Sequence, residues 1–181
     1  MTREEALELM KSNLKNKNLQ KHTIATEACM RALAKHFDED EELWGLTGLL
    51  HDVDYEQTAK DAEKHGLVGA EMLDEMGIDK RIVHAVKAHA GHVEAESLMD
   101  KALFAIDPLT GLIVAATLMH PTKKLAGVDT QFVLNRFKEK SFAKGANREN
   151  IQTCEGIGLE LDEFITICLN AMQGISGELG L

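Results

Sequence analysis

A chain of 181 residues with 44% hydrophobic content is long enough to bury one real core, and its formal net charge of −10 sets the average surface against a nucleic acid polymer as partner. Two prolines and 4% aromatic residues, beside abundant Ala, Leu, Glu, Lys and eight Met, favour helices over strands, because straight side chains lose little freedom in a helix. The expectation is an all-α, compact single-domain bundle over residues 1–181, cytoplasmic and without a membrane partner, since no signal-peptide run opens the chain and no stretch reads as the roughly 20 apolar residues of a membrane span.

Thr2 with Glu5 reads as a capping box that opens an amphipathic helix carried by Ala6, Leu7, Leu9, Met10 and Leu14, ending near residues 16–18 and lying as a lid on the core. A second helix runs from about Leu19 to Phe37, with His22, Thr26, Cys29 and Leu33 recurring on one face, so His22 points inward. Asp38 to Asp40 begin a third helix, whose segment 43–50 is apolar almost all round and carries glycines that permit close helix packing. That central helix delivers His51 and Asp52, and the polar run 53–61 reads as a loop over them. Helices from His65 to Met76, stopped by Gly77, and from Asp79 to about His89, stopped near Gly91, form a hairpin with Asp79 as a cap. Leu98 to Met119 is strongly apolar and holds Asp107 before Pro108, where the helix is expected to kink or break. Helices near 130–139, 147–155 and 160–176 read as a C-terminal cap on the same core, closed by Gly174 and Gly177. Cys29, Cys154 and Cys168 are odd in number, far apart and set among apolar residues, which suits reduced core thiols better than a disulfide framework.

A buried carboxylate without a partner costs several kcal/mol or neutralises, so Asp52 and Asp107 in apolar helices require a cation or good hydrogen bonds. A lone histidine on an apolar face is ordinarily a core residue with a satisfied hydrogen bond. In the company of His51, Asp52, His65 and Asp107, His22 reads instead as a ligand for first-row divalent metals such as Fe, Mn, Co, Ni or Zn. No cysteine pair is near enough to suggest a thiolate zinc site. His84, His89 and His92 all lie where a further ligand is needed, while His36 and His120 read as surface or capping residues. Between Pro121 and Arg148 seven basic residues face two acidic ones, either a solvated face or an anchor for an anionic substrate. Within it, 142–148 reads as a capped helix start or as a glycine-bearing loop offering N–H groups to an anion.

The order His22, His51-Asp52, Asp107 resembles the HD superfamily of metal-dependent phosphohydrolases, an all-helical fold, over roughly residues 19–119. Leu49-Leu50-His51-Asp52, His65-Gly66-Leu67-Val68-Gly69-Ala70-Glu71, His89 and Ala105-Ile106-Asp107-Pro108 are similar to its HDIG-type branch and to HD-type diadenosine tetraphosphatases. That resemblance implies one metal on His22, His51, Asp52 and Asp107, and a second on His65 and His89 with Asp52 as the bridge; iron or manganese comes first among the ions. It selects His89 over its neighbours. Val53-Asp54 stands in place of Ile-Gly, and no Gly-Tyr-Pro motif is present, which disfavours the cyclic-di-GMP phosphodiesterase subgroup.

The implied activity is hydrolysis of a small anionic phosphorylated molecule or nucleotide by a hydroxide activated on the metals. Asp52 and Asp54 are the catalytic candidates, Asp54 as proton acceptor, as orienter of a ligand or simply as a turn cap. Lys87, Lys144 and Arg148 are the phosphate-contact candidates, although Lys87 sits about 200° around the helix from His89. A di-iron oxygenase on the same scaffold and a non-catalytic protein with a structural metal are the alternatives. Exposed Met and Leu on an acidic helical domain of this size leave room for a homodimer.

Overall fold

The computed structural model describes residues 1–181, and the chain forms helices and turns only. Helix α1 spans Arg3–Asn13, α2 Lys17–His36, α3 Glu41–Leu50, α4 Tyr55–Thr58, α5 Leu67–Glu75 and α6 Lys80–His89. Helix α7 spans Leu98–Met119, α8 Thr130–Lys138, α9 Arg148–Gln152, α10 Leu161–Gly174 and α11 Ser176–Leu179, with 3-10 turns at Leu125–Gly127 and Thr153–Ile157. Helix starts fall where the sequence offers caps. Thr2 and Glu5 form the reciprocal box on α1, Asp40 caps α3, Asp79 caps α6, and Ser97 with Asp100 makes a second box on α7.

Two features of α7 differ from expectation. The helix continues through Pro108, because Leu103, Ala105 and Ile106 before it and Leu109, Leu112 and Ile113 after it are all buried in one core, and that burial outweighs one lost backbone hydrogen bond. By length and mean hydropathy (22 residues, 1.9) α7 also qualifies as a membrane span, contrary to the reading that no stretch does. It is the central core helix here, packed against α2, α6, α8 and α9.

The larger core joins α2 and α7 to α8, α9 and α10 and holds all three cysteines as free, buried thiols. Burial pushes the Cys154 thiol up to about 11 and Cys168 well above its ordinary value, which keeps both protonated. A smaller core packs Ala6 and Met10 of α1, and Leu14 just past its end, against α3, α5 and α6, so α1 is the lid the sequence suggested.

Helices α2 and α3 approach backbone to backbone at Gly48. A Cβ there would lie 2.9 Å from Cα and N of Glu27, so only glycine fits without moving a helix. Beside this contact the buried Glu27 carboxylate accepts from Arg3 at 2.6 and 3.0 Å and from Arg31 at 3.0 Å, and Arg31 reaches on to Glu42 at 2.7 Å. Glu27 at 3% exposure is a buried anion met by two cations, which ties α1, α2 and α3 into one frame. That frame sets His22 opposite His51.

Candidate metal centre

His51 sits at the C-terminus of α3, and its Nδ1 donates to the Gly48 carbonyl at 2.7 Å, one turn back. His89 ends α6 in the same way, donating from Nδ1 to the Val86 carbonyl at 2.6 Å. His22 projects from α2, and its Nδ1 donates to Thr110 Oγ1 at 3.0 Å, whose own hydrogen goes to the Asp107 carbonyl. His65 lies in the turn before α5, not within a helix as expected, and its Nδ1 donates to Asp54 Oδ1 at 3.0 Å. All four outer nitrogens are thus held by acceptors, which fixes the tautomer and turns four Nε2 lone pairs inward.

Those lone pairs meet each other. Nε2 of His22 and His51 lie 3.2 Å apart, as do Nε2 of His65 and His89. Two acceptor nitrogens at that distance repel unless a cation or a proton sits with them, and two carboxylates supply the complementary oxygens. Asp107 Oδ1 lies 3.1 Å from His22 Nε2 and 3.8 Å from His51 Nε2. Asp52 divides its oxygens: Oδ2 is 3.5 Å from Nε2 of both His22 and His51, whereas Oδ1 is 3.3 Å from His65 and 3.4 Å from His89. Two overlapping groups, His22, His51, Asp107 and His51, Asp52, His89, each bring their donor atoms within 4.8 Å of one another. Imidazole nitrogen with carboxylate oxygen is a donor set that suits a divalent first-row metal.

The electrostatics agree. Burial alone would push His51 down, but Asp52 and Asp107 raise it to about 9. Burial opposes ionisation of Asp52, yet His51, His89 and His22 hold it well below the usual carboxylate range, and His22 and His51 do the same for Asp107. His65 is raised against its burial by Asp54 and Asp52. The neighbouring carboxylates thus favour positive charge at His51 and His65.

Asp54 is almost wholly buried and faces away from the cleft. Its Oδ2 accepts from the backbone N–H of Gly66 at 2.8 Å and Gly69 at 2.7 Å, while Oδ1 takes His65. Gly66 adopts φ +78, and a Cβ there would meet Ala90 Cβ at 2.6 Å, so the turn that presents His65 depends on this glycine. His84 pairs with Asp100 at 3.0 Å, and His92 donates to the His65 carbonyl at 2.7 Å; of the three histidines in that region His89 is the one in the cluster. Exposed His36 packs on Phe37, and His120 bonds Thr122 beyond the end of α7.

A cleft of about 510 Å³ opens over His22, Asp52, His65 and Asp107, walled by Tyr55, Asn147 and Asn150. Tyr55, which the sequence offered only as part of the polar loop and as one of few aromatic platforms, meets His65 edge-on at 5.1 Å, and Thr110 was not singled out by sequence reasoning. Thr110 carried a signal, lying three residues after Asp107 on the same helix face. Of the basic candidates, Lys87 is half-buried on α6 and does not line the cleft. Arg148 turns its guanidinium onto six main-chain carbonyls, among them Ala146 and Phe142 at 2.6 Å, and holds the 136–146 segment together. Lys144 is exposed in the loop whose Ala143, Gly145 and Ala146 wall the cleft.

The HD domain family matches residues 19–123, which contain every residue of this cluster. The chain belongs to the HD-domain family. Among curated relatives, this HD domain is 30% identical over 146 residues to the uncharacterized protein MJ0778 of Methanocaldococcus jannaschii, covering 76% of this chain and 85% of that one. It is 28% identical over 135 residues to ribonuclease Y of Sulfurovum sp. and 30% identical over 135 residues to ribonuclease Y of Staphylococcus epidermidis, in both cases over 73% of this chain. The chain spans only 26% of the length of those two ribonucleases. No solved structure matches.

Proposed function

We propose that this protein is a metal-dependent phosphohydrolase with a binuclear centre, acting on a small phosphorylated molecule or nucleotide. The observation that carries the reading is the division of Asp52, whose two oxygens face two separate ligand groups. His22, His51 and Asp107 with Asp52 Oδ2 would hold one ion, and His65 and His89 with Asp52 Oδ1 the other. Divalent ions held there, iron or manganese first, would supply positive charge to phosphoryl oxygens and an activated water at neutral pH. The chain's own residues do the positioning. Asp52 fixes the two ligand groups relative to each other, and Asp107, on the cleft wall, is open to substrate on one side.

Asp54, with both oxygens taken by donors, is a positioning residue that acts through His65 and not a proton acceptor. Lys144, exposed in the loop whose neighbours wall the cleft, would be the basic side chain to meet an incoming phosphate, with Asn147 and Asn150 of the wall as further donors. The ribonuclease Y relatives bring a phosphodiester within the range of substrates. The net charge of −10 and a cleft of about 510 Å³ favour a small one over a polymer, in a single cytoplasmic HD domain.

The test is release of p-nitrophenol from p-nitrophenyl phosphate and bis(p-nitrophenyl) phosphate, and of phosphate from nucleotides, by protein loaded with Mn or Fe. Turnover that is abolished by chelation and by Asp107→Ala is the expected result. Metal-loaded protein that hydrolyses none of these and instead consumes oxygen would move the chain to the oxygenase reading.

A further inference from the structure

Gly111 is an exposed glycine in the middle of the 22-residue α7, where glycine costs about 1 kcal/mol relative to alanine. Nothing in the packing asks for it. A Cβ at Gly111 would meet no atom within 4 Å, in contrast to Gly48 and Gly66, and its φ lies outside the left-handed region. What Gly111 does is lie between two cavities. It lines the metal-facing cleft together with His22, and the same two residues line a second cavity of about 480 Å³. That second cavity falls in the size range of small-molecule sites, about 300–1,000 Å³. Most of its surface is apolar, from Ala25 of α2, Val114 and Leu118 of α7, Leu179 of α11 and Leu181, and the polar side chains of Asn18, Lys21 and Thr110 line it as well. Leu118 is 52% exposed, a large apolar side chain left open at the groove.

We propose that this groove is the subsite for the organic group of the substrate, that the group is a medium-length apolar chain, and that Gly111 determines specificity by keeping the passage from the metal cleft open. The proposal rests on the phosphohydrolase reading and deepens it: with the phosphoryl group at Asp52 and Asp107, the esterified carbon chain leaves over Gly111 and lies along Val114 and Leu118. From Gly111 to Leu118 the helix rises about 10 Å, the reach of an extended octyl chain. In hydrolysis a water oxygen bonds to phosphorus, the ester P–O bond breaks, and the departing alkoxide takes the proton the water loses, so the apolar alcohol is released from this groove.

The test uses alkylphosphonates, which bind as the ester would but are not cleaved, so binding is read apart from turnover. Methylphosphonate and octylphosphonate are titrated calorimetrically into Mn-loaded wild type, Gly111→Ala and Gly111→Leu. In wild type and Gly111→Ala the octyl compound should bind at least about tenfold tighter, from burial of part of its chain. In Gly111→Leu, whose side chain grows into open space across the passage, that preference should collapse while methylphosphonate affinity and metal content hold and the melting temperature stays the same or rises with the better helix former.

Equal binding of the two phosphonates by wild type, or a preference that survives Gly111→Leu, overturns the groove and leaves the phosphohydrolase reading standing. So does a dimer that Gly111→Leu dissociates, which would make the groove an interface between copies. Failure of both phosphonates to bind the loaded protein overturns the underlying reading and the groove with it. A preserved octyl preference in a protein that cleaves no ester would remove the hydrolytic step alone.

Discussion

Replacing Asp54 with Asn separates a positioning role from a proton-accepting one. The carboxylate serves three donors with two oxygens: Gly66 and Gly69 N–H on Oδ2 and His65 Nδ1–H on Oδ1. An asparagine has one oxygen. If it faces the two backbone amides, its NH₂ confronts His65 Nδ1–H, donor to donor. The imidazole then moves away or shifts its proton to Nε2, and in either case the lone pair beside Asp52 Oδ1 is lost. If the amide is reversed, two backbone donors are left facing an NH₂ group. Unless the imidazole shifts its proton, either arrangement leaves a buried donor unmet, worth about 1–3 kcal/mol of folding stability. A lost partner behind a metal ligand typically weakens the metal about 10- to 100-fold.

The expected outcome for Asp54→Asn is therefore one tightly held ion where wild type holds two, a matching loss of activity, and recovery of most of that activity at high metal concentration. Metal competition against a chelating dye reads the affinity, and turnover is followed as metal is added. A variant that keeps both ions at wild-type affinity yet loses turnover at every metal concentration would refute the reasoning and return Asp54 to proton transfer.

Gly48→Ala forces a Cβ to 2.9 Å from the Glu27 backbone, and the helix-propensity gain of about 1 kcal/mol does not offset an overpacking cost of about 1–3 kcal/mol. Chemical denaturation should show a net loss, with metal affinity falling because His22 and His51 no longer face each other. Arg148→Ala removes six carbonyl contacts and should cost about 2–4 kcal/mol in the same assay, with Lys unable to replace it; a large rise in KM at unchanged stability would instead make Arg148 a substrate contact. With His51 raised to about 9 in the metal-free protein, its stabilising contribution is complete below about 6.5 and is lost as pH rises through 9. Metal uptake at pH 7 should accordingly release protons, and apparent affinity should climb from pH 7 to 9, measurable in weakly buffered indicator solution.

Much of this was legible in the residues. Apolar periodicity and the cap residues Thr2, Asp40 and Asp79 located the helices, and His51-Asp52 at the end of an apolar run marked the site. The rest depended on long-range packing that local signals do not carry. Pro108 signalled a break, but burial on both sides carried α7 through it. His65 read as helical, yet the positive φ of Gly66 places it in a turn against Asp54, a contact between residues 11 apart. Arg148 looked like an anion anchor because charge is visible in a sequence and the backbone carbonyls that enclose it are not. The choice of His89 over His84 and His92 rested on resemblance at first; the structure adds that His84 faces Asp100 and His92 faces the His65 carbonyl.

The bridging role proposed for Asp52 is tested most directly by metal content per chain. Wild type, His22→Ala, His65→Ala and Asp52→Ala are purified anaerobically without chelator and analysed by plasma mass spectrometry. Close to two equivalents in wild type, about one in each histidine variant and almost none in Asp52→Ala is the predicted pattern. One equivalent in wild type that His65→Ala leaves unchanged would contradict the binuclear account and confine the site to His22, His51, Asp52 and Asp107.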